Sequence, residues 1–255
     1  LPKLYRYRLK FKKRVKKVLK SLGYDLVRLN GGLGYGTAEN ELLKILKEIS
    51  TDLMLDIGAN RGQFGTEVYR YGYSGKLLSF EPMERVYKNL VKSSEKIPSW
   101  HLYERCCVGE KEGETFINIS NLPGNSSVLE IKSTKYNVEG SHYVSKEKVK
   151  QITLQTLNDH NLINEANNIF VKMDIQGFEH FVLSQLPEIS YKIDGFYLEL
   201  SLFNLYEGQE DYLYICNQLK DFGYDLVYIT PEFINSGRMV QINGIFLHNS
   251  LSFDA

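Results

Sequence analysis

The chain has 255 residues, 43% of them hydrophobic, and a formal net charge of zero. The length suits one α/β domain with a short appendage, and no stretch approaches about 18 consecutive apolar residues, which excludes a membrane-spanning helix. Its three cysteines have no C-x-x-C spacing. They therefore argue against a disulfide framework or a zinc site and favour a reducing cytoplasm.

Residues 1–20 hold ten Lys or Arg and no acidic residue. Apolar residues recur there at helical spacing, which predicts a basic amphipathic helix. The segment lacks the apolar core of a signal peptide, and because the chain begins with Leu1 we expect a processed or excised form. Such a helix can lie on an anionic membrane surface or contact nucleic acid. We favour docking of its apolar face on its own domain or on a partner subunit, with the lysines in solvent, because runs of charged residues usually form solvated faces.

The next residues lead into the main domain. A short strand is expected at 24–29, and the glycine-rich segment 30–36 reads as a linker in preference to a phosphate loop, because no convincing buried strand precedes it. Thr37 can cap a helix over 38–49. We therefore divide the chain after residue 36, with one α/β domain over 37–255.

The most informative stretch runs from Leu53 to Phe64. An apolar strand ends there in an acidic residue, and a glycine-framed turn follows, leading into a helix whose free N–H groups can bind an anion. Glycine at the turn lets the backbone approach a ligand closely. The residues that we assign to ligand binding in this stretch are Asp56, Gly58, Asn60, Gly62 and Gln63.

A second apolar strand ends in Glu81-Pro82. An acid at this point of a nucleotide-binding sheet holds the two hydroxyls of a ribose. Asp56 stands where dinucleotide-binding loops carry glycine, and it would repel a pyrophosphate but attract an ammonium. The pattern therefore predicts a site for S-adenosylmethionine (SAM). Pro82, together with Cys107 and Val108 at the end of the third strand, is assigned as a further cofactor contact.

From residue 53 onward strands alternate with helices, which predicts an α/β fold with a mostly parallel sheet. The predicted strands are 53–56, 76–80, 101–107, 169–174, 195–200, 224–229 and 239–247, and the predicted helices are 63–71, 83–93, 177–185 and 208–221. The last two strands have no helix between them and should form an antiparallel hairpin. Seven strands in this order are expected of the Rossmann-like class I methyltransferase fold.

Residues 110–160 interrupt the alternation. Strand-like alternation at 115–119 and 149–154 flanks a polar stretch rich in turn residues. We expect this insertion to form a lid over the site, with a decorative hairpin as the alternative. Asn125 and Ser126 are candidate contacts to a sugar, although turn formation alone also explains them.

Two acidic residues follow or end buried strands further along. Asp174 and Glu199 should both project from the carboxyl edge of the sheet, where an unpaired buried carboxylate would be costly. We assign Asp174 as proton acceptor or as ligand of the cofactor's ammonium, with Glu199 supporting it. The pair could also bind a divalent ion, which we do not favour. Tyr206 is a candidate for the acceptor site, and Glu179 is explained equally well by the dipole of its helix.

Five motifs in order resemble the FkbM family of SAM-dependent O-methyltransferases. They are LDIGANRGQF (55–64), SFEP (79–82), KMDIQGFE (172–179), LELSLFNLYEG (198–208) and RMVQINGIF (238–246). The similarity spans about Gly23 to His248. Members of the family mostly methylate hydroxyl groups of sugars and of polyketide or other natural-product scaffolds. Asn243 stands where the family often has aspartate, so no role of that acid is carried over.

The resemblance and the residues together predict a SAM-dependent O-methyltransferase that acts on a sugar hydroxyl in a glycan or glycosylated natural product. One alternative is a nucleic-acid 2′-O-methyltransferase, although the acidic balance outside residues 1–20 argues against a phosphate-binding track. Base amino-methylation is disfavoured because Asp174-Ile175-Gln176-Gly177 replaces the Asn/Asp-Pro-Pro-aromatic turn. The other alternative is a non-catalytic binding module with the same fold.

Overall fold

The computed structural model describes Val15, residues 38–186 and residues 192–251. Apart from Val15, the predicted basic helix, the strand 24–29 and the linker 30–36 lie outside these residues. Within the described ranges we number six α-helices in chain order. They are α1 (Ala38–Glu48), α2 (Gln63–Arg70), α3 (Glu84–Ser94), α4 (Leu154–Asp159), α5 (Glu179–Leu183) and α6 (Tyr212–Asp221).

A seven-stranded sheet forms the centre of the described domain. Its strands, in spatial order, are β3 (Trp100–Leu102), β2 (Lys76–Phe80), β1 (Leu53–Ile57), β7 (Ile169–Met173), β8 (Ile193–Ser201), β10 (Arg238–His248) and β9 (Tyr224–Asn235). The first five strands in this order run parallel, whereas β10 is antiparallel to both of its neighbours. This is the class I methyltransferase fold, as the alternation of strands and helices predicted.

The predicted strand 101–107 is wrong as a single element. After β3 the chain leaves the main sheet, and β4 (Cys106–Val108) pairs with β6 (Tyr143–Ile152) in a second sheet that also contains β5 (Gly113–Ser120). No glycine or proline marks the break. The cause is tertiary, because β4 pairs with β6, and Arg105 between β3 and β4 also forms an ion pair with Glu147 on β6.

Other boundaries also needed correction. Helices α5 and α6 begin later than predicted. Helix α4 was not predicted, because residues 149–154 were interpreted as a strand. In the structure Thr153 is the N-terminal cap of α4 and forms a capping box. The two hairpin strands extend to a turn at Ser236-Gly237, both of which have positive φ. Pro231 is accommodated within β9 because that strand lies at the edge of the sheet.

The core lies on both faces of the main sheet, as alternate residues of β1 show. Leu53 and Leu55 pack in one apolar cluster with residues of α4, α5 and α6. Met54 packs in the other cluster with residues of α1, α2 and α3. The domain is therefore a three-layer α/β/α sandwich that brings the carboxyl ends of β1, β2, β7 and β8 to one edge. None of the described helices is both long and apolar enough to cross a membrane.

Candidate active site

The loop after β1 is held by close backbone contacts. Gly58 and Gly62 both have positive φ, at 78° and 85°. A Cβ on Gly58 would lie 1.9 Å from the carbonyl oxygen of Asp174. The glycine is thus required by the approach of the chain after β7, and not only by the approach of a ligand as the sequence suggested.

Asp56 lies beside two polar residues in the middle of the sheet. Its register partners are Ser79 on β2 and Lys172 on β7. The ammonium of Lys172 is 3.1 Å from one carboxylate oxygen and donates to the carbonyl of Gly58 at 2.9 Å, while Ser79 donates to the other oxygen. Asp56 is 0% exposed. It is therefore the counter-charge of Lys172, which corrects the expectation that its carboxylate faces the ligand.

The buried cation remains charged. Burial opposes the charge of Lys172, but the carboxylates of Asp56, Asp174 and Glu199 outweigh that effect and raise its pKa above the ordinary value. Lys172 was missed by the sequence reasoning. Its signal was available, because a lysine in the middle of an apolar strand must find a partner.

Glu81 connects the loop after β1 with the loop after β2. One carboxylate oxygen accepts from the backbone N–H of Asn60 at 3.0 Å and the other from that of Met83 at 2.9 Å. Burial raises the pKa of Glu81 to about 7, against the effect of these two hydrogen bonds. A carboxylate has about four acceptor positions. Glu81 therefore holds this loop with acceptor positions left over, and its contact with ribose hydroxyls stays a prediction.

Two cavities lie at the carboxyl edge of the sheet, and Gly58 and Asp174 line both. The first is mainly apolar. The other residues that line it are Ile57, Phe80, Pro82, Cys106, Cys107, Val108, Ile117, Ser126, Ser127, Val128, Ile175 and Phe178. It thus brings together Pro82, Cys107 and Val108, which were predicted as cofactor contacts, and it suits a flat apolar base.

The second cavity is polar, and we refer to it below as the polar cavity. Besides Gly58 and Asp174 it is lined by Ala59, Asn60, Gln63, Phe64, Glu67, Lys172, Met173, Tyr197, Glu199, Glu232 and Asn243. The side-chain oxygen of Asn60 is buried without a hydrogen-bond partner among the described residues. An unpartnered acceptor here fits the ammonium of the cofactor's amino-acid end.

Asp174 and Glu199 are joined by an amide. The side chain of Gln176 donates to Asp174 at 2.8 Å and to Glu199 at 3.0 Å, and Gln241 donates to Glu199 as well. Burial, reinforced by the charge of Asp174, raises the pKa of Glu199 well above its ordinary value. The sequence reasoning placed the two acids together correctly but missed the bridging Gln176, which adopts a positive φ of 55°.

Other candidates lie behind the cavity wall. The hydroxyl of Tyr206 donates to Gln176 at 2.8 Å, so this residue positions the bridging amide and does not line the polar cavity. Glu179 accepts from the backbone of Ile175 and Gly177. The carboxylate of Glu179 thus holds the turn that presents Asp174, and burial raises its pKa to about 7.

The predicted lid reaches the same edge of the sheet. Its residues 121–142 connect β5 to β6, and Lys132 and the carbonyl of Leu205 form a backbone hydrogen bond. Ser126 lines the apolar cavity, whereas Asn125 donates to Ser141 within the lid and lines neither cavity. The position fits a lid, and contact of Asn125 with an acceptor stays a prediction.

Two aromatic residues of the polar cavity had no sequence signal. Phe64 on α2 and Tyr197 on β8 stack with ring centroids 5.9 Å apart and an interplanar angle of 20°. In the described part of the chain, no three His, Cys, Asp or Glu side chains are grouped in a way that suits a metal ion.

The comparison with family models decides the identity. The model of the methyltransferase FkbM domain matches residues 56–226, which is more than half of the chain. The chain belongs to the FkbM methyltransferase family. It is therefore a SAM-dependent methyltransferase, and the match begins at Asp56 and extends through Asp174 and Glu199. Among curated proteins, none has a significantly similar sequence.

Solved structures resemble this FkbM-family protein in general fold. Magnesium protoporphyrin IX methyltransferase of Synechocystis PCC 6803 with bound SAM is 10% identical over 93% of this chain and 96% of that chain, with a TM-score of 0.45. Precorrin-6y C5,15-methyltransferase of Geobacter metallireducens GS-15 is 10% identical over 86% and 92%, with a TM-score of 0.42. Likeness at this level carries no information about the acceptor.

Proposed function

We propose that this FkbM-family enzyme transfers the methyl group of SAM to a hydroxyl group of a neutral, polyhydroxylated acceptor such as a sugar. The observation that carries the proposal is the pair Asp174 and Glu199, bridged by Gln176, in a polar cavity that adjoins an apolar one. A hydroxyl nucleophile needs a proton acceptor beside the methyl donor. A carboxylate pair at the junction of the two cavities supplies one.

The cofactor would be divided between the two cavities. The apolar cavity suits adenine, and Glu81 suits the ribose because its carboxylate has acceptor positions left. Asn60 and the N-terminus of α2 would hold the amino-acid end. SAM supplies an activated methyl group with its own leaving group, and the protein supplies orientation and the proton acceptor.

The character of the polar cavity supports a neutral acceptor. Its carboxylates and amides can accept and donate hydrogen bonds to several hydroxyl groups. Phe64 and Tyr197 offer apolar faces on which the C–H side of a sugar ring can pack. Acidic side chains repel phosphate groups, which argues against the alternative of nucleic-acid 2′-O-methylation.

The experiment is to incubate the full chain with SAM and matched acceptor sets: neutral glycosides, their phosphorylated counterparts, and RNA. Mass spectrometry should find a methyl group in place of hydrogen on the neutral set only, and fragmentation should place it on oxygen. Methylation of RNA alone, or of nitrogen, would overturn the proposal. Tight SAM binding with no turnover on any set would favour the non-catalytic alternative.

A further inference from the structure

The lining of the polar cavity is predominantly acidic. Its carboxylates come from four different elements: Glu67 on α2, Asp174 after β7, Glu199 on β8 and Glu232 on β9. Among the described residues that line the cavity, Lys172 is the one cation. Its ammonium already contacts the carboxylate of Asp56 and the carbonyl of Gly58. The cavity therefore presents a negative potential to whatever enters it.

Aromatic faces add to this potential. The stacked rings of Phe64 and Tyr197 line the cavity, and the ammonium of Lys172 lies 5.5 Å from the ring centroid of Phe64. Aromatic faces attract a cation within about 6 Å of the ring centre. The cavity is thus suited to a positively charged group as well as to hydroxyl groups that can accept or donate hydrogen bonds.

The methyl donor SAM loses the positive charge on its sulfur in the reaction. The bond between the methyl carbon and sulfur breaks, and its electron pair stays on sulfur, which changes from a sulfonium cation to a neutral thioether. The acceptor oxygen bonds to the methyl carbon, and its proton passes to a carboxylate. Transfer thus neutralises the sulfonium and one carboxylate, whereas the ammonium of the cofactor's amino-acid end keeps its charge in both SAM and the product.

We propose that the acidic cavity distinguishes SAM from its product, S-adenosylhomocysteine, by the charge on sulfur, with Glu199 as the residue that sets most of the difference. Transfer then weakens the hold on the product and promotes its release. The discrimination itself requires only cofactor binding, whereas the transfer of a proton to the pair Asp174 and Glu199 rests on the proposed hydroxyl methylation.

The surroundings of Glu199 fix the direction of the pH dependence. Asp174, Glu179 and Glu232 act on it as negative charges and Lys172 as a positive one, while Tyr206 lies close by. Burial and Asp174 raise the pKa of Glu199, so the empty site takes up a proton there readily. A bound sulfonium favours the ionised form. Affinity for SAM should therefore increase as pH rises through the titration of Glu199, and affinity for the product should not share that gain.

The test measures the affinity of the full chain for SAM and for S-adenosylhomocysteine by calorimetry, from about pH 5.5 to about pH 8.5. If the sulfonium lowers the pKa of Glu199 by about one unit, the ratio of the two affinities should rise about tenfold. Glu81 acts on both ligands through the ribose, so the ratio cancels its contribution. Buffers of different ionisation enthalpy should show that SAM binding releases more protons than product binding.

Variants make the assignment specific. Glu199→Gln should flatten the pH dependence of the ratio and reduce the preference for SAM about tenfold, while the product still binds. Glu210→Gln removes the same charge from an exposed position outside the cavity and should change neither quantity. If Glu199→Gln does not fold, Glu232→Gln should reduce the preference by a smaller factor, because Glu232 is exposed and solvent screens its charge. Its remaining side-chain oxygen can still accept from Asn243.

A wild-type ratio that does not vary with pH, or a ratio unchanged in a folded Glu199→Gln variant, would overturn the inference. No acceptor is present in these measurements. The inference can therefore hold even if no hydroxyl acceptor is ever methylated, and it can fail while the proposed function stands.

Discussion

Lys172 lies in the middle of the main sheet, where its ammonium joins the carboxylate of Asp56 on one strand to the carbonyl of Gly58 in the adjoining loop. Lys172 is 6% exposed and Asp56 is fully buried. At the scale of single residues, this pair fixes the loop after β1, where we propose that the cofactor binds.

Lys172→Met should leave Asp56 buried with no counter-charge. We expect a loss of about 3–5 kcal/mol in the free energy of unfolding, because a broken buried ion pair leaves an uncompensated charge. Urea denaturation measures it. The double variant Lys172→Met with Asp56→Asn removes both charges and should recover part of the loss. If the free energy of unfolding of Lys172→Met lies within about 1 kcal/mol of that of the wild type, the pair contributes no more than a surface ion pair, and this account is wrong.

Glu81→Ala should weaken SAM binding by about 1.5–3 kcal/mol, because charge-assisted hydrogen bonds to the ribose are lost. The same substitution removes the acceptor of the backbone N–H groups of Asn60 and Met83. The loss of ribose contacts must therefore be distinguished from a disturbance of the loop. Glu81→Gln keeps an acceptor for one of these two N–H groups, so its affinity for SAM should decrease less than that of Glu81→Ala. Calorimetry on both variants is the measurement, and unchanged affinity in Glu81→Ala would reject the ribose assignment.

Asp174→Asn keeps the shape and hydrogen bonds of the side chain but removes its charge. If Asp174 takes the proton, kcat should fall about 10²–10⁴-fold, the usual contribution of a general base. If it only holds the cofactor's ammonium, the Kd of SAM should rise and saturating SAM should restore the rate. Asp225→Asn, at an exposed position on β9, is the control. If neither kcat nor the Kd of SAM changes, Asp174 has a structural role only.

At the scale of elements, the turn between β7 and α5 presents the carboxylate pair. The carboxylate of Glu179 accepts two backbone N–H groups of this turn, and Gln176 within it bridges Asp174 and Glu199. The lid is tied to the same turn, since Ser127 donates to the carbonyl of Gln176 at 2.8 Å. The predicted lid and the carboxylate pair are thus connected through this turn.

The stability of this turn should depend on pH. Burial raises the pKa of Glu179 to about 7 in the folded state. A carboxyl with a raised folded pKa contributes stability that is present below its unfolded value and lost as pH rises through the folded value. Stability should therefore fall between about pH 4.5 and about pH 7, by roughly 2–3 kcal/mol for this group.

Glu179→Gln cannot ionise and keeps an oxygen for the turn. Its free energy of unfolding should fall less than that of the wild type across this interval, as urea titrations at several pH values can show. Part of the slope should remain, because Glu81 has a similarly raised pKa. If the free energy of unfolding of the variant depends on pH in the same way as that of the wild type, the pKa of Glu179 is not raised in the folded protein.

At the scale of the whole molecule, charge is divided unevenly along the chain. Residues 1–20 hold ten of the 31 basic residues and none of the 31 acidic ones, so the remainder carries a net charge of −10. We expect this segment to serve association with a membrane surface or a partner, and not the chemistry.

Deleting residues 1–20 should leave turnover on a small soluble acceptor nearly intact and change association with a membrane or a partner. If the segment binds anionic vesicles, that binding should be lost, because each basic residue near such a surface contributes about 1 kcal/mol. Vesicle co-sedimentation and steady-state kinetics measure the two properties. Exchanging Lys12, Lys13, Lys16 and Lys17 for Gln keeps the length and should weaken only the vesicle binding. A truncated protein that binds SAM normally but has lost turnover would show that the segment shapes the active site.

The order of strands and helices could be read from the sequence because buried parallel strands are short apolar runs separated by amphipathic helices. Asp174, Glu199 and Glu81 could be found for the same reason, since an acid at the end of such a run is conspicuous. The break between β3 and β4 could not be found. Its cause is the pairing of β4 with β6, some 40 residues later in the chain.

By itself the sequence determined the fold class, the cofactor and the acids at the edge of the sheet, because these follow from local patterns. Tertiary structure alone decided that Asp56 faces Lys172 and not the ligand, that Gln176 joins two carboxylates, and that Phe64 stacks on Tyr197. Each of these contacts joins residues on different elements or in a strained turn. Their distances depend on how strands and helices pack, which local residue patterns do not encode.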